Sequence, residues 1–193
     1  MTRHAPSIGG IPTARSVDHI GMTVPDLAEA VEFFTTFLGC ELIWEHGPYG
    51  NDGQTMLRQL NVDPRSTARI AFLRMGPTFN LELFEYSSPE QRQDLPCNSD
   101  IGGNHIGIYV DDIVAAVDYL KSIPGVKVQE GPNYNTGDTD PSGQSFCYFQ
   151  TPWGYQMEVI SFPEGMGYQK RTKKRTAPPA EYWHNGPQDS NEA

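Results

Sequence analysis

The chain is 193 residues long, with 37% hydrophobic and 20% charged residues and a formal net charge of −10. That length suits one ordinary domain, or one built from two small halves, and is enough to bury a core. The negative balance argues against a general nucleic-acid binder, and no apolar run reaches the length of a membrane span, so neither partner is expected.

Residues 1–15 have no apolar h-region and read as an N-terminal extension, not a signal peptide. Cys40, Cys97 and Cys147 are odd in number and form no CxxC pair. They read as reduced thiols of a cytoplasmic protein.

The first element is a strand that starts at His19 in "HIGMTV". Alternation puts Ile20, Met22 and Val24 under the following helix and His19, Gly21 and Thr23 on the opposite face. Asp26 stands where an N-cap belongs. Leu27, Ala30, Val31, Phe34 and Leu38 share one helical face, and Gly39 lies near its end. Strand-like segments follow at 40–46, 68–75 and 79–86, with the long loop 47–65 between the first two. Glu82 sits in "NLELFEY" between Leu81 and Leu83, a strand position that disfavours charge.

After a linker at 87–103 the pattern returns. "HIGIYV" begins at His105, 86 residues after His19, and the same shift carries Gly21 to Gly107, Asp26 to Asp112, Val31 to Val117 and Gly39 to Gly125. Ile113, Ala116, Val117, Leu120 and Ile123 form the second helical face. Strands follow at 126–129, 144–150 and 155–162, and Glu158 in "YQMEVISF" is the equivalent of Glu82. The fold class is therefore α+β: two tandem βαβββ modules, 16–86 and 104–163, whose sheets curl into one shared metal-binding cleft.

Residues 164–193 form a C-terminal extension carrying "QKRTKKRT", which holds five of the 14 basic residues. The first expectation is a solvated tail. The alternative is an arm that packs on the domain through Tyr168, Tyr182 and Trp183.

Taken singly, a strand histidine is most often a satisfied core or surface group, and a strand glutamate most often pairs with a neighbour such as Arg69 or Arg74. Four such residues on matched positions of two repeats outweigh those readings. His19, Glu82, His105 and Glu158 compose a site for one divalent ion: zinc, nickel, cobalt or manganese, with iron less favoured. Four protein ligands leave positions for substrate oxygens, the mark of a catalytic site. His4 and His184 lie in the terminal segments, and His46 reads as solvated. Asp138 and Asp140 lack the later glutamate of a calcium loop.

The segments "VDHIGMTVPDLAEAVEFFTTFLG", "LELFE", "GGNHIGIYVDDIVAAVDYL" and "FQTPWGYQMEVISFP" resemble the vicinal oxygen chelate superfamily, from about residue 17 to 163. That superfamily includes glyoxalase I, methylmalonyl-CoA epimerase, the extradiol dioxygenases and the fosfomycin- and bleomycin-resistance proteins. Glyoxalase I usually carries an arginine after its first strand and an asparagine after its first glutamate. This chain reads Thr23-Val24-Pro25 and Phe84-Glu85-Tyr86 there, which argues against glutathione. "VPDL" and "GGNHIGIYVDDI" resemble the epimerases better.

The resemblance implies metal-dependent proton transfer next to a carbonyl of a small oxygenated substrate, as isomerisation, epimerisation or lyase chemistry. Glu158 is the first choice as base and Glu82 its partner from the opposite side. Asn80, Gln144, Gln156, Thr23 and Tyr109 are candidate substrate contacts by strand parity. The alternatives are a ferrous extradiol-type dioxygenase and a non-catalytic small-molecule binder. A homodimer is expected by analogy with the family.

Overall fold

The computed structural model describes residues 11–50 and 54–183. His4 and His184 lie outside the described residues. Module 1 consists of β1 (His19–Thr23), α1 (Leu27–Glu32) with a π-helical turn at Phe33–Phe37, β2 (Glu41–Gly50), α2 (Thr55–Leu60), β3 (Thr67–Met75) and β4 (Phe79–Ser87). Module 2 consists of β5 (Ile106–Tyr109), α3 (Ile113–Ser122), β6 (Lys127–Val128), β7 (Asn133–Tyr134), β8 (Ser145–Gln150) and β9 (Gln156–Ser161).

Each module builds its own sheet. The orders are β1-β4-β3-β2 and β5-β9-β8-β6, with β7 added beside β8. In both, the first strand runs parallel to the last and lies at the sheet edge, and the remaining pairings are antiparallel. The repeat read from the sequence is thus a repeat of topology.

Alternation sorts each strand into a core face and an open face. In β4, Leu81 and Leu83 are fully buried on either side of Glu82. In β8 and β9, Cys147, Phe149 and Met157 are fully buried, with Val159 close behind. Asp26 accepts from Glu29 N, and Asp112 from Val114 N and Ala115 N, so both helices are capped as expected. Glu85 adds a cap that the pattern did not show: its Oε2 accepts from Leu27 N at 2.7 Å. Gly39 and Gly125 take φ values of 67° and 79°, the left-handed conformation that ends a helix at little cost for glycine.

The loop expected at 47–65 is more ordered than its composition suggests. β2 runs on to Gly50, and α2 puts Met56 into a fully buried position.

The modules touch through their helical layers. Trp153, in the β8–β9 turn, meets Phe33 and Phe34 at ring separations of 5.4 and 6.0 Å. Tyr119 on α3 donates to the Phe37 carbonyl at 2.9 Å. One buried cluster runs through both modules. Among the described residues, no helix is long and apolar enough to cross a membrane.

Up to residue 183 the C-terminal segment packs on the domain at two places, as the expected arm would, and residues 170–182 are exposed. A 3-10 turn at Gly167–Lys170 is held to module 2, and Arg171 donates to Asp140 Oδ1 at 2.8 Å and Asp138 Oδ1 at 3.0 Å. The chain then crosses to module 1. There the Trp183 indole N–H donates to the Gly39 carbonyl at 3.1 Å, and its ring packs over Gly76. Trp183 serves as the aromatic anchor because its ring is part-buried while its N–H reaches a backbone acceptor. Tyr182 is 54% exposed and is not an anchor.

Candidate active site

All four expected ligands lie on the open faces of the sheets, in two matched pairs. His19 Nε2 lies 3.3 Å from Glu82 Oε2, and His105 Nε2 lies 3.4 Å from Glu158 Oε2. His19 opens the edge strand β1, His105 immediately precedes the edge strand β5, and in each module the glutamate is on the strand beside it. Strand register explains the glycine of both "HIG" motifs. Gly21 is paired with Glu82 and Gly107 with Glu158. A Cβ at Gly107 would stand 3.4 Å from Glu158 Oε2, so the glycine leaves the carboxylate room to turn toward its histidine.

Each pair fits a divalent ion. Ions of this class hold nitrogen and oxygen ligands at about 2.0–2.2 Å, which places neighbouring ligand atoms ~3.0–3.4 Å apart. The observed separations match that spacing and are long for a hydrogen bond between the two groups. The two pairs are not brought together within the chain. Among the described residues, no group of three or more His, Cys, Asp or Glu side chains is arranged to hold a metal ion. The chain therefore presents two separate His–Glu pairs.

The halves share a plan and differ in detail. His19 Nδ1 meets Asp18 Oδ2 at 2.9 Å, a contact that leaves Nε2 free to act as a ligand when Nδ1 carries the proton. The matching residue before His105 is Asn104. Its Oδ1 accepts from the Tyr155 hydroxyl at 2.6 Å, which ties the start of β5 to the start of β9. Glu158 is 8% exposed. Burial pushes its pKa up, and the attraction of His105 offsets part of that rise.

Aromatic rings wall both half-sites. Phe72 stands edge-on to His19 and stacks on Trp44, whose ring lies 5.2 Å away and nearly parallel. Tyr148 stands edge-on to His105. Burial raises the Tyr148 pKa, and the Glu158 carboxylate adds to it. His46 is exposed, as expected, and stacks on Tyr49 at 5.8 Å. Of the residues expected as substrate contacts, Asn80 is partly used by the fold, donating to the Asp18 carbonyl at 3.0 Å. Gln156 lies with Gly21 and Thr23 along a shallow groove. A larger cavity of about 520 Å³ borders His105 and is closed on one side by Pro179 and Trp183 of the arm.

Asp138 and Asp140, set aside as a calcium loop, bind Arg171 instead. All three cysteines are free thiols. Burial pushes the Cys40 thiol up to about 12 and raises Cys147 as well, so neither is a nucleophile in the fold.

Residues 18–148 match the family model described as glyoxalase/bleomycin resistance protein/dioxygenase superfamily. The chain belongs to that superfamily. It is 48% identical over 179 residues to an Actinomyces protein named 2-epi-5-epi-valiolone epimerase, covering 92% of this chain and 97% of the relative. A glyoxalase family protein from Bacillus cereus shares the fold at a TM-score of 0.60 and 16% identity, over 79% of this chain and 98% of that one. Glyoxalase I of Leishmania major, described as trypanothione-dependent, does so at 0.52 and 17%, over 78% and 89%. The family frame and the epimerase relative together support an epimerase-type enzyme acting on a small molecule.

Proposed function

We propose that this chain is a divalent-metal-dependent epimerase that inverts a stereocentre next to the carbonyl of a ketone of the 2-epi-5-epi-valiolone kind. The observation that carries the reading is the pair of matched His–Glu half-sites in a chain 48% identical to an epimerase of that name. The relative favours isomerase over lyase chemistry.

His19, Glu82, His105 and Glu158 would hold the ion. When bound, it supplies positive charge that lowers the cost of negative charge gathering on the carbonyl oxygen. Glu158 takes the proton from the carbon beside the carbonyl, and Glu82 returns one to the opposite face. The electron pair of the broken C–H bond passes toward the carbonyl oxygen and comes back to carbon, so the reaction is redox-neutral. Glu158 is the more buried carboxylate, with 11% of its side chain exposed against 22% for Glu82. A dry base is the stronger one. The aromatic walls around both pairs suit the C–H face of a ring while leaving its hydroxyls to polar groups.

Because one chain holds the half-sites apart, the complete ligand set is assigned to a homodimer in which module 1 of one copy faces module 2 of the other. Residues 16–163 form the enzymatic domain, and the segments outside it are extensions.

The test is to incubate the metal-loaded protein with 2-epi-5-epi-valiolone in deuterated water. Expected are the epimer and one deuterium at the inverted carbon, both read by NMR. Oxygen uptake without exchange would overturn this in favour of an extradiol-type dioxygenase. Ligand binding without turnover would leave a binding protein.

A further inference from the structure

The duplication reaches one strand beyond the candidate ligands. Phe72 lies opposite Glu82 where β3 pairs with β4, and Tyr148 lies opposite Glu158 where β8 pairs with β9. Each ring meets its own module's histidine edge to face: Phe72 and His19 at 5.7 Å and 75°, Tyr148 and His105 at 5.0 Å and 89°. The two residues are the same structural part, a wall beside the His–Glu pair. They differ by one phenol hydroxyl.

The fold does not consume that hydroxyl. Tyr119 and Tyr155 spend theirs on the Phe37 carbonyl and on Asn104. The Tyr148 hydroxyl has no hydrogen-bond partner among the described residues. Its chain neighbours Cys147 and Phe149 are fully buried on the core side, so Tyr148 faces the open side with His105 and Glu158. Phe146 contacts the ring edge-on at 5.8 Å, which fixes the ring from a second direction. Phe72 shows that this position packs without a hydroxyl. Tyr49 and Tyr86 stand on the other module's sheet close enough for the Glu82 charge to raise their pKa, but the place opposite Glu82 on β3 offers only a ring.

We propose that Tyr148 is a substrate-binding residue that donates a hydrogen bond to a substrate oxygen and so sets which face of the reacting carbon meets Glu158. The inference rests on the epimerase reading. Inversion needs the two faces of one carbon to meet two defined groups, and two equal walls would accept a polyoxygenated ring in either sense. A donor at the wall position of one module and not of the other removes that degeneracy.

Tyr148→Phe turns this wall into a copy of the other. Initial rates of deuterium exchange and epimerisation of 2-epi-5-epi-valiolone should give a kcat/KM about fivefold below wild type, the loss expected for one neutral hydrogen bond. Melting temperature and metal content should be unchanged. A kcat/KM within twofold of wild type overturns the inference, and so does a variant that loses metal or folding, since the hydroxyl then serves the protein and not the substrate. Phe72→Tyr is the control and should bring no gain. Wild-type protein that neither exchanges nor binds the ketone by calorimetry rejects the epimerase reading itself, and this inference with it. An unchanged Tyr148→Phe beside an active wild type rejects the inference alone.

Discussion

His105 Nε2 faces Glu158 Oε2 across 3.4 Å, and 86 residues earlier His19 begins the same relationship with Glu82 at 3.3 Å. A spacing kept twice at ligand-to-ligand distance predicts metal. Protein purified without added ions should carry a divalent metal, and His19→Ala and His105→Ala should each strip it, as read by elemental analysis. Asp18→Asn should weaken affinity by about tenfold in a chelator competition, because the acceptor that orients His19 loses its charge while the ligand stays. Full metal occupancy in both alanine variants would remove the site.

The separation of the half-sites predicts complementation between copies. His19→Ala damages module 1 and Glu158→Gln damages module 2, so each variant alone should be inactive. If the site forms between copies, a heterodimer has one site with both defects and one with none. Refolding an equal mixture should then restore about one quarter of wild-type activity. No recovery, with dimers present by light scattering, would place all four ligands within one chain.

Glu158 predicts a pH-dependent stability difference in the metal-free protein. Its pKa lies above the ordinary glutamate value because burial outweighs the attraction of His105. The folded state favours the protonated form, so this contribution is fully present below the unfolded pKa of about 4.3 and is lost as pH rises through the folded value. Glu158→Gln carries no such charge. Its stability relative to wild type should rise as pH increases above the unfolded glutamate value of about 4.3, measured by urea unfolding. An advantage that shrinks with rising pH would contradict the assignment.

The arm predicts a structural cost far from the sheets. Trp183→Ala removes a part-buried ring and the hydrogen bond to Gly39. Equilibrium unfolding should show a loss of about 2 kcal/mol, below the range for a fully buried tryptophan. Trp183→Phe should recover most of the packing but not the hydrogen bond. No change in either variant would return the segment to a solvated tail.

Much of this molecule was legible before any coordinates. Period-two alternation placed His19 and Glu82 on one face, and the repeat at His105 and Glu158 made two ordinary residues into a pattern. Asp26 and Asp112 announced both helix starts, because capping is a local interaction between residues two or three apart. The 76-residue shift that relates the glutamates also relates Phe72 to Tyr148 and was there to be read. Its meaning was not, since register across strands is a tertiary fact.

The remainder depended on contacts between distant segments. Glu85 caps α1 from 58 residues away, and Trp183 reaches Gly39 across 144. No sequence period encodes such contacts, because they form only when packing brings the segments together. The same holds for the candidate site. Sequence alone paired His19 with Glu82 and His105 with Glu158 as equivalents, through strand alternation and duplication. Only the tertiary structure decided that one chain keeps the halves apart, because Phe33, Phe34 and Trp153 join the modules through their helical layers and not through their open faces.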